Sequence, residues 1–357
     1  MLSRERAAGG ALTLALAIGM VALLIGCGRA PAAESGTLPP TLAATGLYSD
    51  FAARTLADGV IAFSPQYPLW TDGATKRRWI ALPPGTSIDA SDPDHWRFPP
   101  GTRLWKEFAF ERPIETRYLE LGTDGEWRFA SYQWAADGSA APLAPECGVR
   151  GAATTPDGVR FDVPSRLDCL ACHRGGADVV LGFGALQLSG DRDPLALHGG
   201  PLPDGALDLA ELVRRGLVRG LPEWLLATPP RIAAASPRER AVLGYLHGNC
   251  AACHNASGPL AGLGMDLAAS LREDATKRAA PPAALSTTVG VESRFALQDA
   301  SLRIAPGAPE QSVLARRIAS RHAAQQMPPL GTRVVDSHAS QTIAEWIRAD
   351  LVPAASR

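Results

Sequence analysis

The 357-residue chain has no excess of charge of either sign: 35 Lys and Arg stand against 36 Asp and Glu, a net charge of −1. A near-neutral chain lacks the basic footprint that phosphate backbones demand, which excludes nucleic acid as a partner. Only one long apolar run is present, close to the N-terminus, so no second membrane span is expected. Methionine is scarce: there are four, and Met1 and Met20 precede residue 27. No grouping of acid, base and nucleophile stands out as a catalytic constellation. Cysteine is also infrequent, at six residues, but four of them fall into one repeated pattern.

That pattern is Cys-x-x-Cys-His. It occurs as "CLACH" (Cys169, Cys172, His173) and again as "CAACH" (Cys250, Cys253, His254). A four-sulfur zinc site would have to close across the 77 residues between Cys172 and Cys250, and zinc does not ask for a histidine behind each pair. A thioredoxin-like disulfide needs a strand-to-helix turn that neither site shows. Covalent haem uses every residue of the pattern. Two thiols three apart each add to one vinyl group of a porphyrin, and the adjacent imidazole binds the iron. By composition alone, chance supplies on the order of 0.002 such pentads. Two haem c groups are the expected cofactors.

The N-terminus agrees with export. Arg4 and Arg6 precede the apolar run "ALTLALAIGMVALLI" (11–25), which has the length and flanks of a secretory signal. Its end, Leu24-Ile25-Gly26-Cys27, resembles the lipobox of bacterial lipoproteins. The resemblance implies cleavage of residues 1–26 and acylation of Cys27, and Gly28 in the next position points to the outer membrane. Residues 27–45 read as a flexible tether.

From residue 46 to 166 the chain alternates with a period near two. "KRRWIAL" (76–82), "TRLWKEFAF" (102–110), "ETRYLEL" (115–121), "EWRFASYQW" (126–134) and "GVRFDV" (158–163) read as strands. Asp124-Gly125, Asp137-Gly138 and Pro156-Asp157-Gly158 supply the reversals. Six of the eight tryptophans lie here, which suits an aromatic core. After residue 166 helical spacing takes over. Leu209, Leu212, Val213 and Leu217 share a stripe within 207–221, and "PEQSVLARRIAS" (309–320) reads as a further helix. Ser236, Pro237 and Glu239 form a start signal for a helix leading into the second motif. Ile343, Trp346, Ile347 and Leu351 line a last helix over 337–351. The expected fold class is α+β and multidomain: an antiparallel β-rich domain (46–166), then two mainly α-helical haem c modules, at 167–235 and 236–357.

Residues 236–351 resemble a class I cytochrome c domain, with a leading helix, "CAACH", "QQMPPLGT" (325–332) and a closing helix carrying Trp346. That resemblance implies His254 as proximal and Met327 as distal iron ligand. A thioether favours ferrous iron, and Pro328 and Pro329 stiffen its loop. Met265 reads as a packing residue and His322 as a weaker rival to Met327. The whole mature chain resembles a family of exported dihaem cytochromes with a β-rich front end. No methionine lies between His173 and Cys250, so the sixth ligand of the first haem falls to His198 or His247, with His95 a third candidate. Cys147 is left over and reads first as a buried thiol, with an intermolecular bridge or a further ligand as the alternatives.

The leading functional expectation is electron transfer to or from a periplasmic or surface redox protein. The competing ones are a peroxidase- or oxidase-like enzyme with an open first haem, and a sensor that binds a ligand through the β domain.

Overall fold

Short alternating segments between turns build sheets, and this chain does so through its first half. The computed structural model describes residues 37–272 and 281–352. Strands β1 (Tyr48–Asp50) and β2 (Thr55–Leu56) form a small hairpin. A five-stranded antiparallel sheet follows: β3 (Ile61–Ala62), β4 (Thr75–Ala81), β6 (Arg103–Ala109), β7 (Pro113–Leu121) and β8 (Trp127–Gln133), in the order β3-β4-β6-β7-β8. Between β4 and β6 lies the two-residue strand β5 (Ile88–Asp89). Strands β9 (Val149–Thr154) and β10 (Arg160–Val163) make another hairpin. Of these, β4, β6, β7, β8 and β10 are the strands that the alternation predicts. Gly125 closes the β7–β8 reversal at φ +80°, a conformation that costs a side chain but not glycine.

Both faces of the main sheet are covered. One face carries Trp79, Trp105, Tyr118 and Tyr132 against Leu42 and Leu47. Trp105 is fully buried and its Nε1 donates to Thr45 Oγ1 at 2.9 Å; Trp134 Nε1 donates to Thr116 Oγ1 at 3.0 Å. Each such side chain contributes about 1.5–3 kcal/mol through burial. Leu42–Thr45 is a 3-10 turn locked into this core. The tether expected to run to residue 45 therefore ends earlier, because Leu42 and Leu47 have an aromatic face to cover. Residues 1–26, Cys27 and the start of the tether lie outside the described residues.

The helical half departs from expectation. Two mainly helical haem modules are not present; the described chain is β-rich. Its seven described α-helices include only two of 13 residues, α4 (Pro237–Asn249) and the C-terminal helix (Ser337–Ala349). The region 167–235 holds α1 (Arg166–His173), α2 (Leu209–Arg214) and α3 (Trp224–Ala227), with 8, 6 and 4 residues. Glycines at positive φ explain the shortfall, since helix growth needs uninterrupted turns. Gly216, at φ +67°, stops the helix expected over 207–221, and Val218–Arg219 (β11) instead pairs in parallel with β5. The region 236–352 inserts a hairpin, β12 (Glu292–Leu297) and β13 (Ala300–Leu302), between its long helices.

The main core also ignores the expected boundaries. Ile80 and Leu104 of the sheet, Leu188 and Leu207 of the irregular segment, Leu246 of α4, and Ile343 and Trp346 of the C-terminal helix belong to one cluster. The described residues accordingly fall within one compact unit. Among the described residues no helix is long and apolar enough to cross a membrane.

Candidate functional site

The first motif rides on α1. Ser165 caps it in a reciprocal box: its hydroxyl accepts from Asp168 N at 3.1 Å, and Asp168 accepts from Ser165 N at 2.9 Å. His173 ends the helix, and its Nδ1 lies 2.6 Å from Val179 O. A carbonyl only accepts, so the proton sits on Nδ1 and Nε2 keeps its lone pair. Burial holds the ring's pKa down at about 4, which keeps it neutral. This is the tautomer and charge state that a metal-ligating imidazole needs.

The second motif follows α4. Ser236 accepts from Glu239 N at 3.0 Å, with Pro237 in the first turn as expected. Glu239 returns its bond to Ala235 N at 2.7 Å, one residue earlier than the cap itself. Cys250 is the C-cap, and burial pushes its thiol up to about 12. The chain then turns tightly, with His254 N donating to Cys250 O at 2.9 Å. His254 is buried, and its Nδ1 has no hydrogen-bond partner among the described residues. An orphaned buried nitrogen costs about 1–3 kcal/mol, which a bound group could relieve.

The two motifs, so far apart in sequence, pack directly on each other. Asn255 Nδ2 donates to Gly175 O at 2.9 Å and to Ala251 O at 2.8 Å, while its Oδ1 accepts from Gly258 N at 2.7 Å. A Cβ on Gly175 would strike Ala252 O, and one on Gly258 would strike Gly175 O. Only glycine permits this approach. Cys253 Sγ lies 3.9 Å from Ala171 O. A hydrogen bond between the thiols of Cys172 and Cys253 lowers the pKa of Cys253 and raises that of Cys172. Asn255, Gly175 and Gly258 were missed by sequence reading. Their signal was only that each follows a Cys-x-x-Cys-His motif within four residues.

The remaining ligand candidates divide. Met327 is half-buried; its N donates to Arg317 O at 3.0 Å, and Arg317 Nε donates to Gln325 O at 2.9 Å. The same arginine, with Arg303, adds to burial in lowering the basicity of His254, so the Met327 loop and His254 share a neighbour. Met265 packs against the main core, and His322 is exposed. His198 is held by Asp336, Nε2 to Oδ2 at 2.7 Å, with the Trp70 ring 4.8 Å away. His247 is half-buried and its Nδ1 accepts from Ala269 N at 3.2 Å, which puts the proton on Nε2. Neither thus offers a free Nε2 lone pair. His95 pairs through Nδ1 with Asp178 at 2.9 Å, beside the Val179 that holds His173, and makes no hydrogen bond through Nε2. Cys147 is exposed and not buried as expected.

One further feature lies on the sheet face opposite the aromatic core. The register sets Arg78 beside Lys106, Lys106 beside Arg117, and Arg117 beside Ser131. Three cations thus stand directly abreast, an arrangement that is destabilising without anions. Arg117 has Glu115, whose Oε1 takes Nη2 at 2.6 Å. The Arg78 and Lys106 side chains have no hydrogen bond or ion pair among the described residues. Burial, with Arg78 and Arg117 alongside, drives the pKa of Lys106 well below the usual lysine value; burial alone takes Arg78 to about 10. Ser131 Oγ is buried without a partner. The row faces the first motif: Phe129, two residues from Ser131 on β8, has its ring 5.2 Å from that of His173, and Lys106 and Arg117 both depress His173's basicity.

Among the described residues no three His, Cys, Asp or Glu side chains converge as a metal clamp would require. Haem does not need such a cluster, because its ring supplies four donors and each motif contributes thiols and one imidazole. The neutral His173, its Nδ1 bonded to Val179 O and its Nε2 free, fits that group, while the orphaned Nδ1 of His254 carries no argument for it. The chain matches no protein-family model, no curated protein and no solved structure.

Proposed function

We propose that the protein is an exported dihaem c-type cytochrome that passes electrons to or from a periplasmic or surface redox protein. The observation that carries this reading is the direct contact of the two Cys-x-x-Cys-His motifs through Asn255, Gly175 and Gly258. Cofactors anchored at motifs this close would sit within reach of rapid exchange. Cys169 and Cys172 would anchor one haem and Cys250 and Cys253 the other, with His173 and His254 as proximal ligands. Bound there, the irons supply reversible one-electron chemistry. The chain's part is to fix the tautomer of His173 through Val179, to exclude water from His254, and to hold Met327 on a loop tied down by Arg317. Export and a lipid anchor on Cys27 belong to the same proposal and rest on the N-terminal sequence.

The commitments of His198 to Asp336 and of His247 to Ala269 favour a second reading for the first haem. Its sixth position would then be open, or filled by His95, and an open position would bind small ligands. Maturation in a host with haem-attachment machinery, followed by haem counting and spin-state spectra, tests both. Two low-spin haems indicate pure electron transfer. One high-spin haem that takes up cyanide rapidly indicates ligand chemistry, and a colourless product sinks both readings.

A further inference from the structure

The row Arg78, Lys106, Arg117 and Ser131 has no role in either reading above, yet it is costly as it stands. Two of its members are more than nine-tenths buried, Arg78 at 9% and Ser131 at 8% exposure, and neither side chain has a hydrogen-bond partner among the described residues. Like charges set directly opposite across strands repel, and a buried charge without a counter-ion costs several kcal/mol. Glu115 cannot neutralise the row alone: it brings one charge against three, its Oε1 is taken by Arg117, and its buried Oε2 has no hydrogen-bond partner among the described residues. Two guanidiniums, an ammonium and a hydroxyl, all donors and side by side, describe a receptor for carboxylates. Apolar residues of the next row on the same face, Ile80, Leu104, Leu119 and Phe129, adjoin it. An apolar strip beside a cationic strip, facing His173, matches a flat ligand with an apolar body and acidic groups at one edge.

Resting on the haem reading, we propose that this row is a carboxylate-binding site for the propionates of the haem attached at Cys169 and Cys172. The β sheet is then not an accessory domain: it supplies the counter-charges of the first cofactor. The propionates would neutralise the row, and the row would keep them ionised within the protein. The cations nearest the second motif, Arg303 and Arg317, are instead committed to backbone carbonyls, so the two haems should respond differently to loss of the row.

The experiment is a potentiometric titration of the matured protein and its Lys106→Met, Arg78→Met and Lys106→Arg variants, with haem counted in each. Losing a cation beside a haem favours the ferric state. Lys106→Met should shift the ferric/ferrous equilibrium of one haem about tenfold, a fall of ~59 mV for a one-electron couple. It should also introduce a pH dependence near neutrality as a propionate begins to titrate. Arg78→Met should act in the same direction, Lys106→Arg should restore the wild-type value, and the second haem should stay put. A merely structural role would lower Tm and leave the potential alone. The same samples are titrated calorimetrically with succinate. Unshifted potentials in variants that carry two haems, or succinate binding to wild type that Lys106→Met abolishes, would overturn the propionate assignment while leaving the haems in place. A protein without haem would overturn it together with the reading it rests on.

Discussion

The two Cys-x-x-Cys-His motifs share a pattern but not a setting. The first sits on an eight-residue helix beneath a β-sheet, against Phe129 and a row of cations, and its histidine is bonded to a backbone carbonyl. The second ends a 13-residue helix that packs on another, and its histidine has a nitrogen with no partner among the described residues. The pentad fixes how a cofactor would be attached; its surroundings fix the electrostatics and the sixth ligand. One protein can thus give two chemically identical anchors different potentials, which a relay between unlike partners requires.

The strongest way to break the comparison is to remove one anchor. Cys169→Ala with Cys172→Ala should lower the haem count from two to one per chain, and the converse pair at Cys250 and Cys253 should do likewise. Loss of both haems from either pair would show that the motifs are not independent in attachment. Prising the contact apart comes next. Gly258→Ala forces a Cβ onto Gly175 O and should cost about 1–3 kcal/mol, seen as a fall of several degrees in Tm. The dependence of each haem's potential on its neighbour should also weaken, measured by comparing each potential with the neighbour oxidised and reduced.

Met327→Ala separates the sites more gently. It should abolish the sulfur-to-iron charge-transfer band and lower one potential while the other haem stays nearly unchanged. A band that survives would dismiss Met327 as a ligand. The smallest effect concerns His247. Its folded pKa is held at about 4 by burial, against an ordinary value near 6.5. Between those pH values the unfolded chain binds a proton that the folded chain does not, so stability is lost as pH falls from about 6.5 towards 4. His247→Gln should flatten that limb in urea titrations across the range. An unchanged limb would mean that the imidazole is not buried neutral.

How much of this could be read from sequence varies with the range of the interactions. The strands over 75–81, 103–109, 113–121 and 127–133 were legible because period-two alternation and the Asp124-Gly125 turn are local signals. The Ser236–Pro237–Glu239 helix start was legible for the same reason. The helix over 207–221 was overextended because Leu217 continues the apolar stripe past Gly216, where the backbone has already turned. The two helical modules were an error of the same kind, carried by motif resemblance through a glycine-rich stretch. The contact between the motifs was out of reach, since Asn255 and Gly175 meet only through the tertiary fold. The cation row was half visible. Arg78, Lys106 and Arg117 alternate with Trp79, Trp105 and Tyr118, but both faces of this sheet are buried, so alternation alone could not say which side faced solvent.

The most direct test of the central claim is peptide-resolved mass spectrometry of protein matured with haem-attachment machinery. The account predicts two haem adducts per chain, one on the peptide holding Cys169 and Cys172 and one on the peptide holding Cys250 and Cys253. Unmodified thiols, or a disulfide joining Cys172 to Cys253 in place of the adducts, would contradict it.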